Sequence, residues 1–141
     1  MVLSISSELW GRLRGELAEA FPREGCGFLL GEETKDGAIV RRLHPAINRA
    51  PAGSDHEYII SPDDYRQMER QAKVAGLRVL GIYHSHPNGR PTPSAYDQKL
   101  AWENLSYLIV TTTENGAGEF ELWRLPDWGK PLEKVPLAIA D

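Results

Sequence analysis

The stretch from Leu77 to His86, LRVLGIYHSH, constrains the fold more than any other part of the chain. Apolar side chains fall on both odd and even positions from Leu77 to Tyr83, so a strand here has no face for water. Such a strand is central in a sheet and needs a layer of structure on each side. It then ends in two histidines one residue apart, in a chain with only four. A loop containing Pro87, Pro91 and Pro93 follows, and then Asp97. The chain has 141 residues, of which 41% are apolar. That suits one domain over 1–141 with one real core.

The rest of the chain supplies layers of the required kind. Leu9, Leu13, Leu17 and Phe21 recur every four residues, which predicts a helix from near Ser6 or Ser7 that Pro22 stops. CGFLLGE (26–32) and GAIVRRLH (37–44) read as a hairpin turning at Lys35–Gly37. PAINRAPAGSD (45–55) reads as a loop and EYIIS (57–61) as a short strand. Ser61, Pro62, Asp63 and Asp64 form a helix start, with a serine cap, a proline and acids in the first turn, and that helix should end near Gly76. A second start falls at Ser94. SYLIVTT (106–112) and GEFELWRL (118–125) pair around Glu114–Gly116. The tail from about residue 126 is harder to read, with an edge strand expected at Val135–Ile139. Interleaved helices, strands and hairpins give an α/β class: a mixed β-sheet flanked by helices.

Residues i and i+2 of a strand share a face, so His84 and His86 point together and Ser85 points away. Two imidazoles make half of a zinc site, and with no cysteine nearby a carboxylate is the natural third ligand. Asp97 follows on the next helix. The same residue also completes Ser94-x-x-Asp97, a helix capping box. On spacing alone both readings stay open.

The whole stretch resembles the JAMM signature of the MPN-domain metallopeptidases. That signature is His-x-His-Pro, seven residues, Ser, two residues, Asp, here His84-Ser85-His86-Pro87 through Ser94 and Asp97. REGCGFLLGE supplies Glu24 where the family has an upstream glutamate, and the similarity runs from about Glu24 to about Arg124. The resemblance implies a JAMM/MPN fold, related to that of the cytidine deaminases. It implies one zinc ion per chain on His84, His86 and Asp97, with Glu24 as general base and Ser94 as oxyanion stabiliser. It implies hydrolysis of an amide bond, peptide or isopeptide, at the C-terminal Gly-Gly tail of a ubiquitin-like or sulfur-carrier protein. The small size is similar to that of the compact prokaryotic members. Asn48, in INRA, resembles a family position near the substrate; a turn asparagine is the other reading.

Other classes fit less well. Zinc deaminases need a Pro-Cys-x-x-Cys pair, and Cys26 is the only cysteine. Cys26 therefore reads as a small buried hydrophobe, and no intrachain disulfide is possible. A net charge of −4 and the lack of a basic cluster give no reason to expect nucleic acid. The N-terminus lacks the pattern of a secretory signal, and no apolar run is long enough to span a bilayer, so the expectation is a cytoplasmic protein. A metal-free MPN scaffold and a hydrolase of small amides are the rival functions. Trp102, on the helix after Asp97, and Trp123 are expected in the core. His44, His56 and Arg90 are expected to be ordinary polar residues.

Overall fold

The computed structural model describes residues 2–51 and 58–141. Its elements are β1 (Val2–Ser6), α1 (Ser7–Ala20), β2 (Cys26–Thr34), β3 (Gly37–Pro45), α2 (Pro62–Val74), β4 (Arg78–Pro87), α3 (Ala95–Leu100), β5 (Ser106–Thr113), β6 (Gly116–Arg124), β7 (Glu133–Val135) and β8 (Leu137–Ala140). The strands form one eight-stranded sheet in the order β7-β6-β5-β4-β2-β3-β1-β8. β1 pairs parallel with both β3 and β8, and β4 pairs parallel with β5. The remaining pairs are antiparallel, so the sheet is mixed as expected.

β7 and β8 stand at opposite ends of that order, yet only Pro136 separates them in the chain. Two Cα steps of about 3.8 Å bring the two edges together there, so the sheet is curled. Helix α1 packs on β1, β3, β5, β6 and β8, strands from both ends of the order, and therefore lies within the curl. The ladders on both sides of β2 shift register around Leu29–Gly31, which adds local twist. Helix α2 packs against β4 on the other face.

Two apolar cores follow from strand alternation. Leu13 and Leu17 of α1 meet Leu29, Tyr83, Leu108 and Leu122 in the first. Met68 and Ala72 of α2 meet Phe28, Leu30, Val79 and Ile82 in the second. β4 feeds both, because Ile82 and Tyr83 point to opposite faces. The helices begin where the serines predict. Ser6 Oγ accepts from the Leu9 N–H at 3.2 Å, and Ser61 Oγ accepts from the Asp64 N–H at 3.1 Å. Helix α2 ends at Ala75, and Gly76 takes the left-handed conformation that lets the chain turn into β4 (φ +75°).

Three expectations need correction, and one strand was not expected: VLSIS forms β1 ahead of the first helix. Tyr58–Ser61 is not a strand; Glu57 and His56 lie outside the described residues. The Ile59 amide donates to Asn48 Oδ1 and its carbonyl accepts from the Arg49 N–H, so the segment is bound by a loop rather than by a ladder. The single edge strand expected at Val135–Ile139 is two strands, split by Pro136 onto opposite edges. Trp102 lies beyond the end of α3 and is 37% exposed, outside the core, while Trp123 is half-buried.

Gly27 illustrates how tightly β2 and β4 approach. A Cβ on it would sit 2.2 Å from the Tyr83 ring, which is fully buried and donates its hydroxyl to Glu16 at 2.7 Å. Gly27→Ala should therefore destabilise the protein by about 1–3 kcal/mol through overpacking, read as a lower midpoint in urea denaturation.

Candidate metal centre

β4 carries the histidines at its carboxyl end. His84 and His86 continue the face of Ile82, while Ser85 continues the face of Tyr83. Packing thus aims both imidazoles to the α2 side of the sheet, and His84 is completely buried. Helix α3 brings in Asp97. Its Oδ2 lies 2.9 Å from His86 Nε2 and 3.4 Å from His84 Nε2, and the two Nε2 atoms are 3.1 Å apart.

The capping box and the histidine contacts involve one carboxylate. Ser94 Oγ accepts from the Asp97 N–H at 3.0 Å, and Asp97 Oδ2 accepts from the Ser94 N–H at 2.9 Å. Asp97 is thereby held by its own helix start and turned toward the histidines. The cap uses Ser94 Oγ as an acceptor, which leaves its hydroxyl proton as a donor. Ser94 is exposed at the site's edge.

Glu24 arrives from the segment before β2 and is 4% exposed. A carboxylate oxygen of Glu24 and ring nitrogens of His84 and His86 lie within 4.8 Å of one another. Two carboxylates from separate elements therefore face the histidine pair. Glu24 comes this close because Gly25 lies against α1; a Cβ there would stand 2.9 Å from Ala20 Cβ and 3.0 Å from a Leu17 methyl. Asn48 does not point its amide outward. Its Nδ2 donates to the Glu24 carbonyl at 2.9 Å, and its Oδ1 accepts from the Ala50 and Ile59 amides at 2.9 and 3.1 Å.

The donor set suits a divalent cation. His86 Nδ1 lies 2.8 Å from the Arg90 carbonyl, which can only accept, so Nδ1 carries hydrogen and Nε2, the nitrogen turned inward, has its lone pair available whenever the ring is neutral. Ligands 2.0–2.1 Å from a tetrahedral zinc would be roughly 3.3 Å apart, close to the separations among the two Nε2 atoms and Oδ2. His84 Nδ1 is buried without a hydrogen-bond partner among the described residues. Burial lowers the His84 pKa against the pull of Asp97, which favours the neutral, lone-pair-bearing ring. Burial also pulls the His86 pKa down, but the bonds to Asp97 and to the Arg90 carbonyl outweigh it and leave it raised. For Asp97, burial pushes the carboxyl pKa up, and the histidine hydrogen bonds overcome this and hold it well below the ordinary range.

Sequence reasoning missed three contributors. Tyr58 stacks its ring on His84 at 4.2 Å between centroids and covers it. Arg90 contributes its carbonyl rather than its side chain. Tyr58, Ile60, Ile82, Tyr96, Leu100 and Trp102 line an apolar cavity of about 250 Å³ that adjoins the site through Tyr58. Cys26 is buried as expected; burial first, and the Glu24 charge second, push its thiol pKa up to about 12.

Prok-JAB, the prokaryotic homologs of the JAB domain, matches residues 6–126. The chain belongs to this family. A desampylase from Haloferax volcanii is 37% identical over 91 residues, which are 64% of this chain and 63% of that protein, so the match spans less than two thirds of that relative. A probable TtuB-protein conjugate cleaving protease from Thermus thermophilus is 30% identical over 113 residues, 79% of this chain and 72% of the relative. A solved JAB1/MPN domain protein from Archaeoglobus fulgidus has a TM-score of 0.62 at 20% identity, covering 99% of this chain and 98% of that one. That similarity is one of fold, and it bears out the mixed sheet with flanking helices. No helix among the described residues is long and apolar enough to cross a membrane.

Because Asp97 raises the His86 pKa, Asp97→Asn in metal-free protein should lower it. An NMR titration of the imidazole nitrogens would read the shift; an unchanged His86 pKa would show that the pair is not electrostatically coupled.

Proposed function

We propose that this chain is a zinc-dependent peptidase or isopeptidase that hydrolyses the amide bond at the C-terminal Gly-Gly tail of a ubiquitin-like or sulfur-carrier protein. The observation that carries the reading is the convergence of His84 Nε2, His86 Nε2 and Asp97 Oδ2 within 3.4 Å, with buried Glu24 beside them. The names of the relatives, a desampylase and a conjugate-cleaving protease, support the hydrolase class and the kind of partner. His84, His86 and Asp97 would hold the metal. A zinc ion in that donor set supplies Lewis-acid polarisation of a carbonyl and a water of lowered pKa.

The remaining chemistry belongs to the side chains. Glu24 accepts a proton from the attacking water and passes it to the departing amine, a role that suits a carboxylate buried beside the reacting groups. Ser94 donates its hydroxyl hydrogen to the oxygen that gains charge as the carbonyl becomes tetrahedral. The Arg90 carbonyl and the Ser94 amide hold His86 and Asp97 in place, so little reorganisation is needed when substrate arrives. An extended glycine tail carries no side chains to obstruct a close approach to these groups, and the apolar cavity beside Tyr58 can take an apolar residue near it. Hydrolysis of such a bond needs water at the tail, and the exposed Ser94 edge leaves that side open.

Protein purified without chelator should contain about one zinc per chain, and His86→Ala should lose it. Absence of metal in the parent, even with zinc offered at neutral pH, would overturn the reading. Glu24→Gln should keep the metal and slow cleavage of a Gly-Gly-tailed carrier fusion by about 10²–10⁴-fold. Ser94→Ala should slow it by about 10²–10³-fold and cost about 1 kcal/mol of stability as a lost cap. Cleavage of small dipeptides but not of the fusion would assign a different substrate class.

A further inference from the structure

Glu24 poses a mechanical problem. A carboxylate that moves protons has to stay in register with the histidines, yet Glu24 and Gly25 precede the start of β2 and lie outside its ladder. The last paired residues of that ladder are Cys26 and His84. Beyond them the backbone would be left to its own flexibility unless other groups held it.

Two side chains do so. Ser85, between the histidines, accepts from the Gly25 N–H with its Oγ at 2.9 Å and donates its own N–H to the Gly25 carbonyl at 3.0 Å. Its hydroxyl stands in for a strand carbonyl and extends the ladder by one residue. Ser85 is completely buried and faces away from the histidines, so its hydroxyl has no access to the metal centre. Asn48 holds the other side, donating from Nδ2 to the Glu24 carbonyl at 2.9 Å. The same amide group takes the Ile59 N–H on Oδ1, next to Tyr58, whose ring covers His84. Helix α1 closes the third side, since Gly25 leaves no room for a Cβ against Ala20 and Leu17.

We propose that Ser85 and Asn48 are positioning residues, which clamp the Glu24–Gly25 backbone and so fix the Glu24 carboxylate against His84 and His86. Asn48 also couples that carboxylate to the Tyr58 cover. The inference rests on the reading of Glu24 as general base, but its geometric part stands apart from that reading. It assigns Asn48 to the scaffold rather than to substrate contact.

The test is a double-mutant cycle with a structural arm. Ser85→Ala removes the hydroxyl, and Asn48→Asp removes the donor to Glu24 while keeping the acceptor for Ala50 and Ile59. Each should lower kcat on the Gly-Gly-tailed fusion by about 10–100-fold, with KM and zinc affinity within about threefold of the parent. Ser85→Thr, which keeps the hydroxyl, should restore most of the loss. In a Glu24→Gln background, assayed in single turnover, neither substitution should cost anything further, because residues that act through one group are not additive. Crystal structures of the two variants should show the Glu24 carboxylate displaced and the histidines unmoved. Full additive losses in the Glu24→Gln background, or a Glu24 carboxylate unmoved in both variants, would overturn the clamp. Full turnover by Glu24→Gln alone would instead overturn the general base, and the crystal structures would then decide the clamp by themselves.

Discussion

The antiparallel ladder between β2 and β4 is the contact on which the rest depends. It sets Cys26 opposite His84 and so delivers Glu24 to histidines sixty residues further along the chain. The same ladder makes β4 central, with Ile82 on the α2 side and Tyr83 on the α1 side. Each core therefore grips β4 from one face, and the alternation that buries Ile82 is what points His84 and His86 together. A shift of one residue would turn the histidines into the α1 core and bring Ser85 to the site. Close packing at Gly27 and Tyr83 resists such a slip, because only glycine leaves room there for the tyrosine ring.

Asp97 joins two functions that the spacing alone presented as alternatives. A capping box needs an acid at the third helical position to reach back to the cap amide. The acid is an aspartate, and the oxygen it turns back to Ser94 is the one nearest both imidazoles. The start of α3 thus fixes the carboxylate, and the carboxylate fixes His86. Ser94 serves the same turn as an acceptor, so its role as a cap does not consume the hydrogen that an oxyanion would require.

Much of this was legible in the sequence because it rests on short periodicities and local chemistry. Period-two alternation gave the direction of the histidines, Ser6 and Ser61 marked helix starts, and the His-x-His to Ser-x-x-Asp spacing marked the site. The losses have physical causes too. VLSIS is a short strand that becomes one only through parallel pairing with distant β3 and β8. Ile59 and Ile60 have the β-branched character of a strand, but Asn48 and Arg49 take the Ile59 backbone groups first. Pro136 divides the tail between two edges, which requires knowing that the sheet curls. Arg90 acts through its carbonyl, a group every residue has, so no side-chain reading could single it out.

The electrostatics of the pair follow from these placements. Burial drives His84 toward its neutral form, while Asp97 draws a proton toward His86. A proton on His86 would offset the buried Asp97 carboxylate, and a divalent cation bound by the same Nε2 and Oδ2 atoms would take that proton's place. His84 contributes a ring already neutral, and the Arg90 carbonyl keeps the His86 hydrogen on Nδ1, away from the centre. The cost of burying these polar groups is met by helix cap and strand end together, and that is why the site lies where β4 leaves the core and α3 begins.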